Sequence, residues 1–246
     1  LSTGELRLSE RRFALPLDLE ELVPSAPRDG EEGVLHLDGS AGWAAVESDA
    51  LELGDGPFTL ECHFRAERFA ARQGLVNKTE GAEYGFFVNR GVPEFLVHLD
   101  GKYVGARDER ALAADGAWHH LAGVYDGEGV SLYVDGELRA RREASGRRRR
   151  NVLPLVIGGD VDSKGQGDSL LAGALDEVRL SRGARYSGPS FVPERRHGTD
   201  VDTLLLLHFD GEVGPWTLDS SSHGAHALRV GTGRVERIAA PSATER

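Results

Sequence analysis

The chain has 246 residues, 39% hydrophobic and 28% charged, enough for one large sandwich or two small domains. No apolar run approaches the roughly 18 residues that a membrane-crossing helix needs. A formal net charge of -11 argues against nucleic-acid binding, which needs concentrated positive charge to replace phosphate counterions, and a single cysteine, Cys62, excludes an internal disulfide framework.

One domain is the favoured organisation. The chain lacks methionine, so it is expected to start after an initiator or to come from within a longer polypeptide. Residues 1–30 form an N-terminal extension, with a short helical candidate over 9–23 interrupted by Pro16, whose apolar positions (Phe13, Leu15, Leu17, Leu19, Leu22) fit a strand and a helix about equally well. From residue 31 the pattern becomes strand, turn, strand: VLHLD, WAAVE, then FTLECHFRA, in which Phe58, Leu60, Cys62 and Phe64 share one face. Cys62 is therefore expected to be a small core hydrophobe rather than a reactive thiol.

Further strands are expected at GLVNK, YGFFVN, EFLVHL, KYVGAR, HHLAGVY, VSLYVD, ELRARRE and LPLVIGG. Asp-Gly dipeptides at 38–39, 100–101, 126–127, 135–136 and 210–211 mark turns, because tight hairpin loops require positive φ, which Gly accepts and Asp tolerates. Strands at this spacing point to an all-β, two-sheet antiparallel sandwich or jelly roll. The late segment TLLLLHFD is expected to return and close the sheet near the N-terminal strand, as Greek-key connections do. The boundaries drawn are a sandwich over 31–235 and a tail over 236–246.

The segments FTLECHFRAE, WHHLAGVYDGEGVSLYVDGE, LVIGGD and GALDEVRLSRGARYSG, in this order, resemble the laminin G-like jelly rolls of the concanavalin A-like lectin/glucanase superfamily. The similarity spans roughly 31–235 and departs from the family in one respect: LLLLHFDG and Asp219-Ser220-Ser221, which often open such a domain, lie near the C-terminus. Either the far end closes the sheet, the favoured alternative, or 203–235 begins a truncated repeat. The resemblance implies a sandwich of about 12 to 14 strands, a concave sheet that commonly binds glycans, and a structural calcium near one rim. On this basis Asp176, with Asp38 or Asp210, is a candidate calcium ligand set, oxygen donors being what calcium takes. The alternative for Asp176 is a hydrogen bond to backbone or to Arg179. Trp118, with His119 and His120, is a family hallmark and is expected to be core packing.

No catalytic residues are expected. Asp176 and Glu177 are adjacent, so simple alternation puts them on opposite faces, and they cannot form the same-face carboxylate pair of a glycosidase. Gly167-Asp168-Ser169-Leu170 matches an esterase nucleophile block but lacks its strand-to-helix setting and downstream His partner. His36, His98 and His208 each stand two residues before an Asp-Gly; a zinc cluster would need them to converge, and the plainer expectation is exposed cross-strand positions.

Glycan binding needs a flat aromatic against a sugar face and planar polar side chains for its hydroxyls. The candidates are Trp43, Tyr84, Asn89, His98, Tyr103 and Arg107. The arginines at 147–150 form a basic cluster, either a solvated loop or a dock for acidic groups. Together these features predict a noncatalytic extracellular or cell-surface module for carbohydrate or a protein partner, without nucleic acid or membrane insertion. A structural subunit capable of self-assembly is the alternative, and an atypical glycoside hydrolase a remoter one.

Overall fold

The computed structural model describes residues 26–240 and, ahead of them, the backbone of two short paired strands, Leu6–Leu8 and Arg11–Phe13. In the stretch 9–23, which fits helix and strand about equally, Arg11–Phe13 is a strand; the rest of it lies outside the described residues. Among the described residues no helix is long and apolar enough to cross a membrane.

Two antiparallel sheets form a jelly-roll sandwich. The first has eight strands, in the order Glu137–Glu143, Gly129–Val134, His119–Tyr125, Phe58–Ala66, Ala172–Arg182, Glu31–Asp38 and Arg234–Ala239, with Thr203–Leu207 also paired to Ala172–Arg182. The second has nine: Glu212–Val213, Trp216–Thr217, Ala227–Val230, Trp43–Val46, Leu155–Ile157, Gln73–Asn77, Tyr84–Asn89, Val92–Leu99 and Lys102–Arg107. The strand count exceeds the expected figure because the C-terminal stretch contributes several short strands. It closes both sheets: Ala227–Val230 joins Trp43–Val46, and Arg234–Ala239 joins Glu31–Asp38. That last strand runs into what the sequence suggested was tail. The apolar segment Thr203–Leu207 pairs with Ala172–Arg182 rather than with the N-terminal strand.

Side-chain alternation builds the core. Phe58, Leu60, Cys62 and Phe64 point inward and are fully buried, as are Phe86, Phe95 and Leu121 from other strands. Burial pushes the Cys62 thiol far up, with the nearby Glu61 charge adding to it, so it stays a protonated hydrophobe.

The Asp-Gly turns serve two purposes. Asp100-Gly101 (φ 46 and 86) and Asp135-Gly136 (φ 52 and 79) close two-residue hairpins within a sheet. Asp126 instead opens a three-residue loop, its carboxylate accepting from the backbone N–H of Glu128 and Gly129. Asp38 and Asp210 stand where the chain leaves the eight-stranded sheet for the nine-stranded one. A further two-residue turn, Arg90-Gly91 (φ 52 and 84), carries no Asp-Gly signal.

The outer face of the eight-stranded sheet is not open. Segment 183–202 leaves the end of Ala172–Arg182 and crosses that face before Thr203–Leu207 begins. Tyr186 and Phe191 from this strap stack at 3.6 Å and pack with Tyr133, Ala122 and Val124. Arg185 and Asp200, near its two ends, join in a two-pronged ion pair at 2.8 and 2.7 Å.

Candidate functional site

Four of the six expected ligand residues share one surface. Alternation along Tyr84–Asn89, Val92–Leu99 and Lys102–Arg107, with His98 opposite Tyr103 and Glu94 opposite Arg107, places Asn89, His98, Tyr103 and Arg107 on the outer face of the nine-stranded sheet. Tyr103 is 37% exposed, the one aromatic among the exposed large hydrophobic side chains of the described residues. Its ring is fixed: the hydroxyl donates to Ala82 O at 2.8 Å and accepts from Ala82 N at 3.1 Å, and His98 meets the ring edge-on at 5.1 Å. Gly105, two residues on along this edge strand, is covered by the Glu94 and Leu96 side chains, which a Cβ there would meet at 2.7 and 2.8 Å. Beside it a groove of about 600 Å³ runs between 99–105 and 142–145, lined by Asp100, Lys102, Tyr103, Arg142, Glu143 and Ser145 among others.

The other two candidates are placed differently. Tyr84 is wholly buried in the core, 4.8 Å from the ring of Phe58, so it offers no face to a ligand. Trp43 is 8% exposed and packs with Ala45, Val156 and Val161. A Cβ at Gly167 would fall 2.6 Å from its ring, so that loop covers it closely. His98 is itself almost buried, with its ring against Tyr103. Trp118, expected in the core, is only partly buried and lies under the Arg65 guanidinium at 5.3 Å.

Asp38 does not come together with Asp176. Asp38 is opposite Ala172 in the strand ladder, four positions from Asp176, a separation of roughly 13 Å. Its carboxylate is engaged by Ser40 N, Ala41 N and the Thr232 hydroxyl, whose hydrogen bonds hold its pKa far below the usual range. Asp210 accepts from Gly33 N at 2.8 Å and pairs with Arg196 at 2.6 Å. Arg196 also lies 3.7 Å from Glu177, so a guanidinium already supplies the positive charge there. Asp38 therefore stands apart from Asp176, whereas Asp210 is near enough for its charge to raise the Asp176 pKa and has Arg196 paired to it.

A bulge overturns the expectation that Asp176 and Glu177 face opposite ways. Asp176 is opposite His63 and Arg179 opposite Glu61, so the strand gains a residue between them, and Glu177 takes φ 51. Both carboxylates then reach the strap side. Glu177 accepts from His197 N at 2.7 Å and meets His208 Nδ1 at 2.6 Å. Asp176 is pushed well up, by burial first and then by the Glu177 charge. At 6% and 2% exposure beneath the strap, neither carboxylate faces a cleft.

Under the same strap lies a cluster that the sequence did not reveal. His63 and His120 are directly opposite on neighbouring strands, and His197 comes down from the strap; one ring nitrogen of each lies within 4.8 Å of the other two. Glu61, fully buried, sits beside them: its Oε2 is 3.3 Å from His120 Nε2, 3.6 Å from His197 Nε2 and 2.7 Å from the Tyr186 hydroxyl, while Oε1 takes Arg179 Nε at 2.8 Å. Burial would raise its pKa, but the His120 hydrogen bond and the adjacent cationic groups outweigh that and keep it ionised. Burial pushes His63 down to about 4 and His197 down to about 3, leaving neutral imidazoles. His36, His98 and His208, singled out from the sequence, sit on two different sheets or their margins and do not converge.

A laminin G-type model described as the Concanavalin A-like lectin/glucanases superfamily matches residues 38–187. The chain belongs to this superfamily. Among solved structures, a Bacteroides ovatus protein described as a candidate carbohydrate binding protein superposes with a TM-score of 0.65 at 16% identity, over 89% of this chain and 61% of that one. Domains LG4-5 of the mouse laminin alpha1 chain give 0.47 at 20% identity over 68% and 47% of the two chains. The CBM40 of the Ruminococcus gnavus IT-sialidase gives 0.49 at 14% over 64% and 94%. This chain thus spans less than two thirds of the first two structures, and at these identities the likeness is one of fold. No curated protein matches it in sequence.

Superfamily membership leaves the rest of the charged surface to be read residue by residue. In the 147–150 cluster, Arg148 is not a surface cation: it is 5% exposed, lies over the Phe58 ring at 4.6 Å, contacts Glu83 at 3.6 Å and donates to Gly54 O. Arg147, Arg149 and Arg150 are exposed. Gly167–Asp168 forms a short strand against Asp160–Val161, not the strand-to-helix turn of an esterase nucleophile. The strap histidine His197 had no local signal, because what makes it a neighbour of His63 and His120 is the crossing of the sheet.

Proposed function

We propose that this chain is a noncatalytic binding module that takes carbohydrate along the Lys102–Arg107 edge, with Tyr103 as the stacking platform. The observation that carries this reading is the exposed Tyr103 ring, held rigid by Ala82 and His98 beside a polar groove. A sugar ring presents an apolar face of C–H groups and a rim of hydroxyls. A pre-set aromatic binds the first at little entropic cost, and Lys102, Arg107, Asn89 and Ser145 supply partners for the second. The engagement of Glu177 with the strap residues His197 and Arg196, and the burial of Asp176, support a noncatalytic role. Such a module works where polysaccharide is met, outside the cell or at its surface.

The test is a glycan array followed by calorimetry on the best ligand. Binding that drops at least tenfold in Tyr103→Ala, with an unchanged circular dichroism spectrum, supports the proposal. No glycan bound, together with concentration-dependent self-association by light scattering, overturns it in favour of an assembly role.

A further inference from the structure

We propose that His63, His120 and His197, completed by Glu61, form a binding site for a zinc-type divalent transition ion that pins strap 183–202 to the eight-stranded sheet. This site is separate from the Tyr103 surface, which belongs to the other sheet.

Geometry carries the assignment. Three nitrogens no more than 4.8 Å apart would lie at most about 2.8 Å from their common centre, against a zinc–nitrogen distance of roughly 2.0–2.1 Å. To form one face of a tetrahedral site each ring therefore has to move inward by at most about 0.9 Å. In a tetrahedron of that bond length the donors are about 3.3 Å apart. The Glu61 Oε2 distances to His120 Nε2 and His197 Nε2, 3.3 and 3.6 Å, lie near that edge length.

The second observation is unmet polar demand. The His197 side chain has no solvent exposure, yet neither of its ring nitrogens has a hydrogen-bond partner. An orphaned buried polar atom costs about 1–3 kcal/mol, and a coordinate bond would satisfy the nitrogen that faces the ion. The outer shell is in place as well. Arg179 and the Tyr186 hydroxyl fix the Glu61 carboxylate, and His63 Nε2 has the Glu194 carbonyl at 3.1 Å, contacts of the kind that orient metal ligands. Ligand chemistry selects the ion: three imidazoles and one carboxylate suit zinc, cobalt or nickel, not calcium or magnesium, which take oxygen. The consequence is topological. His63 and His120 stand on sheet strands and His197 on the crossing segment, so one ion would tie together parts of the chain that share no ladder.

The experiment is metal-free protein titrated with zinc chloride by calorimetry, and with cobalt(II) by visible absorption. The expected result is one ion per chain, a tetrahedral cobalt band, and a thermal midpoint raised by zinc. His197→Ala, which lies outside both sheets and leaves the ladders intact, is expected to lose the band and the zinc-dependent shift while keeping its circular dichroism spectrum; His36→Ala is expected to retain both. If His197→Ala fails to fold, His63→Ala and His120→Ala provide the same readout. Absence of a stoichiometric ion in the parent protein, or an undiminished cobalt band in a folded His197→Ala or His120→Ala, overturns the proposal.

Discussion

The Nε of Arg179 meets Oε1 of Glu61 at 2.8 Å across neighbouring strands, with side-chain exposures of 5% and 0%. That buried ion pair is the electrostatic centre of the layer beneath the strap, where Glu61 also receives Tyr186 and His120. Removing one partner leaves the other charge buried and uncompensated, which costs about 3–5 kcal/mol. Glu61→Ala is therefore expected to lower the denaturant midpoint without changing glycan affinity at the Tyr103 face. A midpoint within error of the parent protein would show that water reaches this layer.

Arg148 allows the 147–150 cluster to be dissected. Its guanidinium is buried against Phe58 and Glu83, so Arg148→Ala is expected to cost about 3 kcal/mol or more in urea unfolding. Replacing exposed Arg147 or Arg149 with Ala is expected to change stability by less than about 0.5 kcal/mol. Equal effects at the three positions would contradict this placement.

Gly123 faces the ring of Phe95 in the opposite sheet, and a Cβ there would fall 2.4 Å from it. Neither group can retreat cheaply in a close-packed core, so Gly123→Ala is expected to destabilise by about 1–3 kcal/mol. Thermal unfolding reads this directly. Phe95→Leu in the same chain is expected to recover part of the loss, because the smaller side chain makes room.

The Arg185–Asp200 pair closes the strap and gives it an acid limit. The hydrogen bond from Arg185 holds the Asp200 carboxyl far below its ordinary value of 3.8. A depressed carboxyl contributes stability above the unfolded-state pKa and loses it as pH falls through the folded one. The contribution is thus complete near pH 5 and above, and declines below about pH 4. Because Asp200 is 48% exposed, screening limits the effect to about 1 kcal/mol or less. The stability gap between the parent protein and Asp200→Asn is expected to be constant from pH 5 to 8 and to close in stronger acid; a gap that widens in acid would refute the sign.

Tyr103→Phe separates the two parts of the proposed platform. The ring remains for stacking, while both hydrogen bonds to Ala82 are lost. Glycan affinity is expected to fall by less than in Tyr103→Ala, about threefold against tenfold, since only positioning is weakened. Equal losses in the two variants would mean that the hydroxyl itself contacts the sugar.

Local chemistry fixed what was legible in advance. Period-two alternation in FTLECHFRA put Phe58, Leu60, Cys62 and Phe64 in the core, and Asp-Gly at 100–101 and 135–136 set two hairpins through positive φ. The same alternation brought Asn89, His98, Tyr103 and Arg107 to one face, because strand pairing preserves it. It failed at Asp176 and Glu177, where one added residue between fixed ladder partners turned both carboxylates the same way. It could not tell Tyr84 from Tyr103 either, since which face becomes interior depends on where the second sheet lies. The histidine cluster depended wholly on tertiary structure: His63 and His120 meet through strand pairing, and His197 reaches them only because the strap crosses that sheet. Sequence periodicity encodes neighbours along and across a ladder, whereas a crossing segment's neighbours are set by packing between distant parts of the chain.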